Sequence, residues 1–171
     1  AYNAYVTRFN EDNAAAIEAG EIEALPLSSS EFIEKASGIK SRYAMHKDGM
    51  TDPARMMAKF EQCTAENGNE PETVTMGVGA AREAMQRANK TAADIDMLIV
   101  ATTNHQRAYP SIAVEIQHKL GIKGFAYDMG IACSSATFGL ISAYAAVKAG
   151  LAKCVLVVNP EFATPQVNLK S

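Results

Sequence analysis

Cys133 combines a residue type and a position in the sequence that are suited to covalent chemistry. It lies between an apolar segment at 125–127, which predicts a short buried strand, and a helix predicted over 134–149. Unpaired backbone N–H groups and the positive end of the dipole converge at the start of a helix. Their field favours the thiolate, which is the nucleophilic form of cysteine. The alternative is that Cys133 is an unreactive core residue, because free cysteines are among the most buried residue types.

Other residues with chemical potential carry weaker signals. The chain contains three histidines, which are His46, His105 and His118. They have no spacing typical of metal ligands, and nothing in the sequence pairs any of them with Cys133 as a base. A partial dinucleotide-binding motif begins at 77–79, but Arg82 replaces its third glycine and no strand precedes it. We expect these glycines to allow close helix packing instead, and we expect no metal and no cofactor.

The composition favours one domain without a nucleic-acid partner. With 171 residues, of which 48% are hydrophobic, the chain is long enough to bury a core. The formal net charge of −3 provides no basic surface for nucleic acid, and no basic run points to a membrane. The odd number of cysteines and their wide separation favour a reducing cytoplasm over disulfides or zinc.

The N-terminal part of the sequence predicts helices joined by loops. Its expected elements are an amphipathic helix over 1–19, a short serine-capped helix that ends before Gly38, a weak edge strand over 39–45 and a long loop over 46–72.

The remainder predicts alternating helices and strands. The expected elements are a helix over 72–89, a strand over 97–101, a helix over 110–121, a strand over 125–128, a helix over 134–149 and a strand over 154–158. This order predicts a mostly parallel βαβαβ sheet with flanking helices, which is an α/β fold. The helix over 134–149 carries its first charge at Lys148, so we expect it to be packed on nearly all sides. Both ends of the sequence look cut, and we expect a piece of a longer protein.

Four motifs occur in one order and spacing, at 94–103, 108–111, 117–124 and 132–135. They resemble the β-ketoacyl-acyl-carrier-protein synthase III family, and the resemblance covers most of the chain. That family has the thiolase fold, in which two similar α/β halves form a five-layered sandwich, and its enzymes are homodimers. The resemblance implies that residues 1–171 are the N-terminal thiolase-like half-domain. The segment 46–72 would be a long loop insertion, and the C-terminal half would be absent.

The resemblance also implies roles for individual residues. Cys133 would be the nucleophile that accepts the acyl group, and its backbone N–H would be one oxyanion donor. Tyr109 would close the acyl pocket of the partner subunit, although a tyrosine that only anchors the loop before Pro110 stays an alternative.

The resemblance further places Ser28 and Phe32 at the substrate-binding site. Relatives hold the adenine of coenzyme A between a tryptophan and an arginine, where this chain has Phe32 and Ala36. Phenylalanine keeps a stacking face, but alanine offers no cation. The acyl donor is therefore either acyl-coenzyme A or an acyl-carrier protein.

The resulting hypothesis is a condensing enzyme of fatty-acid biosynthesis, cytoplasmic and homodimeric. An acyl group would pass to Cys133 and then undergo decarboxylative Claisen condensation with malonyl-carrier protein. The histidine and asparagine that support decarboxylation belong to the second half in this family, so the isolated chain is expected to be inactive. The alternatives are another thiolase-fold acyltransferase, such as a hydroxymethylglutaryl-coenzyme A synthase, and a non-catalytic dimerising scaffold.

Overall fold

The computed structural model describes residues 2–59 and 68–163, which belong to two compact units. One unit comprises Ala1–Glu61 with Ala163–Ser171, and the other comprises Gln62–Phe162. We call them the N-terminal unit and the sheet unit.

The N-terminal unit contains three helices, α1 (Tyr2–Asp12), α2 (Ala14–Glu18) and α3 (Ser30–Ser37). The prediction of one continuous helix over 1–19 is wrong at Asn13, which separates α1 from α2. The Asn13 side chain donates a hydrogen bond to the Phe9 carbonyl at 2.8 Å. Asparagine interrupts helices in this way because its side chain competes with the backbone for hydrogen bonds.

Two asparagines of α1 bind the extended segment that leads to α3. Asn3 pairs with both backbone groups of Ser28, at 2.8 Å and 3.0 Å. Asn10 pairs in the same way with both backbone groups of Leu25, at 3.0 Å and 2.9 Å. The segment gains the backbone bonds that a neighbouring strand would otherwise supply.

Helix α3 has the predicted ends. The Ser29 hydroxyl at its N-cap accepts the N–H of Phe32 at 3.1 Å, and Gly38 ends it in the left-handed conformation. The edge strand predicted over 39–45 is wrong, because these residues form no strand and all the described strands belong to the sheet unit. Turns occupy much of 46–59, and residues 60–67 of the predicted loop lie outside the described residues.

The sheet unit has the predicted alternation. Its elements are α4 (Glu72–Arg87), a 3₁₀ turn (Ala92–Asp94), β1 (Met97–Ala101), α5 (Ile112–Leu120), β2 (Phe125–Met129), α6 (Ser135–Lys148) and β3 (Val155–Val158). The strand order is β2-β1-β3 and both pairings are parallel, so the α/β class and the βαβαβ order are confirmed. Because the strands run in one direction, the segments 102–111, 130–134 and 159–163 all leave from the carboxyl edge of the sheet.

The amino edge of the sheet is closed by Asp96. Its carboxylate accepts the N–H groups of Lys153 at 2.7 Å and Cys154 at 2.9 Å. These backbone hydrogen bonds, first that of Cys154, lower the pKa of Asp96 below its ordinary value. A Cβ on Gly124 would lie 1.8 Å from the Asp96 carbonyl oxygen, so only glycine allows β2 to begin there. Thr91 and Asp94 form a capping box at the 3₁₀ turn.

Two predictions of burial are wrong. The strand at 125–127 is an edge strand, in which the Phe125 side chain is 63% exposed. Helix α6 is packed on one side only, because its buried residues are Ser135, Gly139 and Ala146. The reason is that, among the described residues of the sheet unit, no element lies against the outer side of α6. None of the described helices combines the length and apolar content that crossing a bilayer requires.

Candidate active site

Cys133 lies in the turn between β2 and α6, at the carboxyl edge of the sheet, and its side chain is exposed. Within this chain Cys133 is therefore not a core residue, and its role as the nucleophile stays a prediction. Ser134, the N-cap residue of α6, makes no side-chain cap hydrogen bond, and the first turn of the helix contains no acidic residue. The first turn of α6 therefore contains no carboxylate that would offset the positive end of the helix dipole beside Cys133.

The backbone just before Cys133 has an unusual conformation. Ala132 has a φ of 44°, in the left-handed region that residues with a Cβ seldom adopt. The neighbouring hydrogen bonds compensate for this cost: the Ser135 hydroxyl accepts the N–H of Ile131 at 2.8 Å and donates to the Ala132 carbonyl at 2.7 Å. Ser135 is buried, so the turn that presents Cys133 is held from inside.

A histidine and a carboxylate share this edge with Cys133. His105 Nε2 lies 3.8 Å from Asp128 Oδ2, and a Cβ on Gly130 would lie 3.4 Å from His105 Cε1. Asp128 also accepts the N–H groups of Ile112 at 2.9 Å and Ala113 at 2.7 Å, so it caps α5. The imidazole therefore lies against the backbone that leads into the Cys133 turn.

The ends of β1 and β3 are joined by a polar network at the same edge. The buried Thr102 hydroxyl donates to the Pro160 carbonyl at 2.7 Å. The Glu161 carboxylate accepts the N–H of Thr103 at 3.1 Å and an N–H of the Asn104 side chain. These bonds tie the segment after β1, which we call the Tyr109 loop (102–111), to the segment after β3.

Tyr109 projects from this loop with 83% of its side chain exposed. The peptide bond between Tyr109 and Pro110 is cis. Ser111, at the end of the loop, caps α5 by accepting the N–H of Val114 at 3.2 Å. Tyr109 and Cys133 therefore both belong to segments at the carboxyl edge of the sheet unit.

Ser28 and Phe32 belong to the N-terminal unit. Ser28 uses both backbone groups in its pairing with Asn3, and the Phe32 side chain is 64% exposed on α3. Ala36 lies in the last part of the same helix. The substrate-binding roles of Ser28 and Phe32 stay predictions.

Sequence reasoning missed the residues that position the site. Asp128 had a detectable signal, since it is an acidic residue at the end of a strand that follows α5 in the chain. Ser135, Glu161 and the left-handed Ala132 had none, because each acts through contacts made only in the folded chain. Among residues 2–59 and 68–163, no group of three or more potential ligands is arranged for a metal ion.

Comparison with known proteins identifies the family. The sequence profile of 3-oxoacyl-[acyl-carrier-protein] synthase III matches residues 127–171, which include Cys133. The β-ketodecanoyl-[acyl-carrier-protein] synthase of Pseudomonas aeruginosa is 52% identical over 171 residues, covering 99% of this chain and 48% of the relative. The chain thus spans about half the length of that relative.

Solved structures agree with the sequence match. The 3-oxoacyl-[acyl-carrier-protein] synthase III of Aquifex aeolicus is 31% identical, with a TM-score of 0.63 over 83% of this chain and 39% of that one. The priming β-ketosynthase of the R1128 polyketide pathway is 29% identical, with a TM-score of 0.64 over 84% of this chain and 37% of that one. The chain belongs to the 3-oxoacyl-[acyl-carrier-protein] synthase III family, and it has a thiolase-like fold. The resemblance inferred from its motifs is confirmed.

Proposed function

We propose that the protein carrying this chain is a 3-oxoacyl-[acyl-carrier-protein] synthase III-type condensing enzyme of fatty-acid biosynthesis, with Cys133 as its nucleophile. The observation that carries this proposal is the exposed Cys133, held by the Ser135 turn at the start of a helix without an acidic first turn. At this position, at the carboxyl edge of the parallel sheet, the Cys133 sulfur is accessible for attack on an acyl thioester.

Two acyl transfers follow from this assignment. The Cys133 sulfur attacks the carbonyl carbon of an acyl thioester, a new C–S bond forms, and the donor thiol leaves with a proton. Malonyl-carrier protein then loses carbon dioxide, and its carbanion attacks the acyl-cysteine carbonyl. The C–S bond to Cys133 breaks and β-ketoacyl-carrier protein departs. The Cys133 N–H would donate one hydrogen bond to each oxyanion.

The name of the Pseudomonas aeruginosa relative suggests the chain length of the acyl group. A β-ketodecanoyl product has ten carbons, two of which come from the malonyl unit. We propose an eight-carbon acyl group on Cys133, carried in by coenzyme A or by a carrier protein. The proposal also places the complete protein in the cytoplasm as a homodimer, with Tyr109 facing the partner subunit.

The exposed apolar side of α6 supports the proposal that a second half of the protein completes the active site. Phe138, Leu140 and Tyr144 are 44%, 63% and 65% exposed on a helix that contains no acidic residue. Such a surface is typical of an interface rather than of a face in contact with water. We infer that the remainder of the thiolase-like fold covers it and supplies the histidine and asparagine for decarboxylation.

The test is the intact mass of the complete protein after incubation with octanoyl-coenzyme A, acetyl-coenzyme A or the matching acyl-carrier proteins. We expect an octanoyl increment that is absent from Cys133→Ala and present in Cys154→Ala, the matched control at a half-buried cysteine. An increment from carrier protein alone would identify the donor. No increment from any donor, with the protein folded, would favour the scaffold alternative.

The product formed with malonyl-carrier protein distinguishes a condensing enzyme from other thiolase-fold acyltransferases. Release of a β-ketoacyl-carrier protein from acylated enzyme and malonyl-carrier protein supports the proposal, whereas turnover with another acceptor would indicate a different thiolase-fold acyltransferase. The isolated 171-residue chain should show no condensation. A rate from that chain which Cys133→Ala abolishes would contradict this expectation.

A further inference from the structure

Gln106 connects the Tyr109 loop to the first turn of α4. Its Oε1 accepts both the N–H and the hydroxyl of Thr73, each at 2.9 Å. Its Nε2 donates to the Glu72 carboxylate at 2.6 Å. The N-cap residue of α4 is Pro71, which has no side-chain donor or acceptor, so Gln106 provides the cap from a distant part of the chain.

The Thr73 end of this contact is held firmly. Thr73 is fully buried, and a buried hydroxyl or N–H is costly to leave without a partner. The Gln106 amide uses both its oxygen and its nitrogen in the contact, so rotation of the side chain would break every bond at once. The contact therefore fixes the backbone of the loop at position 106.

Bonds on both sides of Tyr109 limit its freedom. Arg107 pairs with Glu115 of α5, and both side chains are largely buried. On the other side, Ser111 is fixed as the cap of α5. Only residues 108–110 lie between these anchors, so Tyr109 is presented on a short span whose ends are fixed.

We propose that Gln106 is a positioning residue that sets the acyl-chain selectivity of Cys133 by fixing the orientation of Tyr109. This inference rests on the proposed function, in which Tyr109 closes an acyl pocket. An aromatic side chain on a fixed loop defines the end of a pocket, whereas the same side chain on a mobile loop admits chains of several lengths. Gln106 thus acts on the substrate through Tyr109 and touches no reacting atom.

The experiment measures acylation of the complete protein by an equimolar mixture of acetyl and octanoyl donors, on the carrier that loads the wild type. Gln106→Leu should change the octanoyl-to-acetyl ratio on Cys133 by about threefold to tenfold. Gln117→Leu is the matched control, because Gln117 donates to the Gly124 carbonyl at the opposite edge of the sheet. It should lower the melting temperature and leave the ratio unchanged.

Thr73→Val provides a second variant in case Gln106→Leu fails to fold. It removes the hydroxyl bond to Gln106 but keeps the backbone bond, so we expect a smaller shift of the ratio in the same direction. An unchanged ratio in folded, acylated Gln106→Leu and Thr73→Val would overturn this inference and leave the proposed function standing. Absence of acylation in the wild type would overturn the proposed function and the inference together.

Discussion

The two faces of the three-stranded sheet are covered to different degrees. On one face α4 and α5 enclose a core of twelve buried residues, which are Val74, Val78, Ala81, Ile95, Leu98, Val100, Ile112, Ala113, Ile116, Ile122, Leu156 and Val158. On the other face α6 covers a much smaller set, which consists of Met97, Ile99, Ala146 and Ala152. Among the described residues the first face is covered by α4 and α5, whereas the second ends in the exposed apolar side of α6.

This difference between the two faces explains the apolar composition of α6. Its apolar residues exceed what the sheet can bury, because a helix in contact with one layer needs only one apolar stripe. The helix that follows Cys133 therefore has the composition of a middle layer, and the described residues of the sheet unit supply one neighbouring layer, the sheet. Cys133, at the start of that helix, lies where the described layers would meet a further one.

The largest test of this comparison uses two isoleucines. Ile116 on α5 is fully buried and Ile141 on α6 is 54% exposed. In the 171-residue chain, Ile116→Ala should lower the free energy of unfolding by about 2–5 kcal/mol. Ile141→Ala should change it by about 0.5 kcal/mol or less. Urea unfolding of both variants checks this. Equal losses would show that α6 is covered in this chain, and a larger loss for Ile141→Ala in the complete protein would support a covering half.

A smaller effect is expected from two glycines of α4. A Cβ on Gly77 would lie 2.4 Å from Ile116 Cδ1, whereas a Cβ on Gly79 would meet nothing within 4 Å. Gly77→Ala should destabilise the chain by about 1–3 kcal/mol through overpacking of the closed face. Gly79→Ala should stabilise it by about 0.5–1 kcal/mol, since alanine favours helix. The difference between their thermal midpoints is the measurement, and a destabilising Gly79→Ala would contradict the open space beside α4.

The smallest expected effect is a dependence of the folding stability on pH through Glu70. Glu70 lies 2.6 Å from Lys119 of α5, and this hydrogen-bonded pair lowers the pKa of Glu70. A carboxyl group whose pKa is lower in the folded state stabilises it above the unfolded pKa and loses that effect as the pH falls through the folded pKa. Glu70→Gln should therefore lower the urea midpoint slightly at pH 7 and leave it unchanged well below the ordinary glutamate pKa. A difference that persists in acid would show that Glu70 acts through packing instead of charge.

Local sequence patterns predicted most of the sheet unit. The run at 97–101 reads as continuously apolar because β1 is central, with Leu98 and Val100 facing one layer and Met97 and Ile99 the other. The start of α6 was also predictable, since it depends on neighbours close in sequence. The edge position of β2 was not, because an apolar strand has the same pattern whether or not another layer covers it.

The sequence by itself determined the α/β class, the order of strands and helices, and the place of Cys133 at the start of α6. These features follow from residue periodicity and from caps, which act over a few residues. Only the tertiary structure decided that Ala132 is left-handed, that Asp128 caps α5 and that Gln106 caps α4. Each of these depends on groups brought together by the parallel strands, and contacts between distant residues leave no local pattern in the sequence.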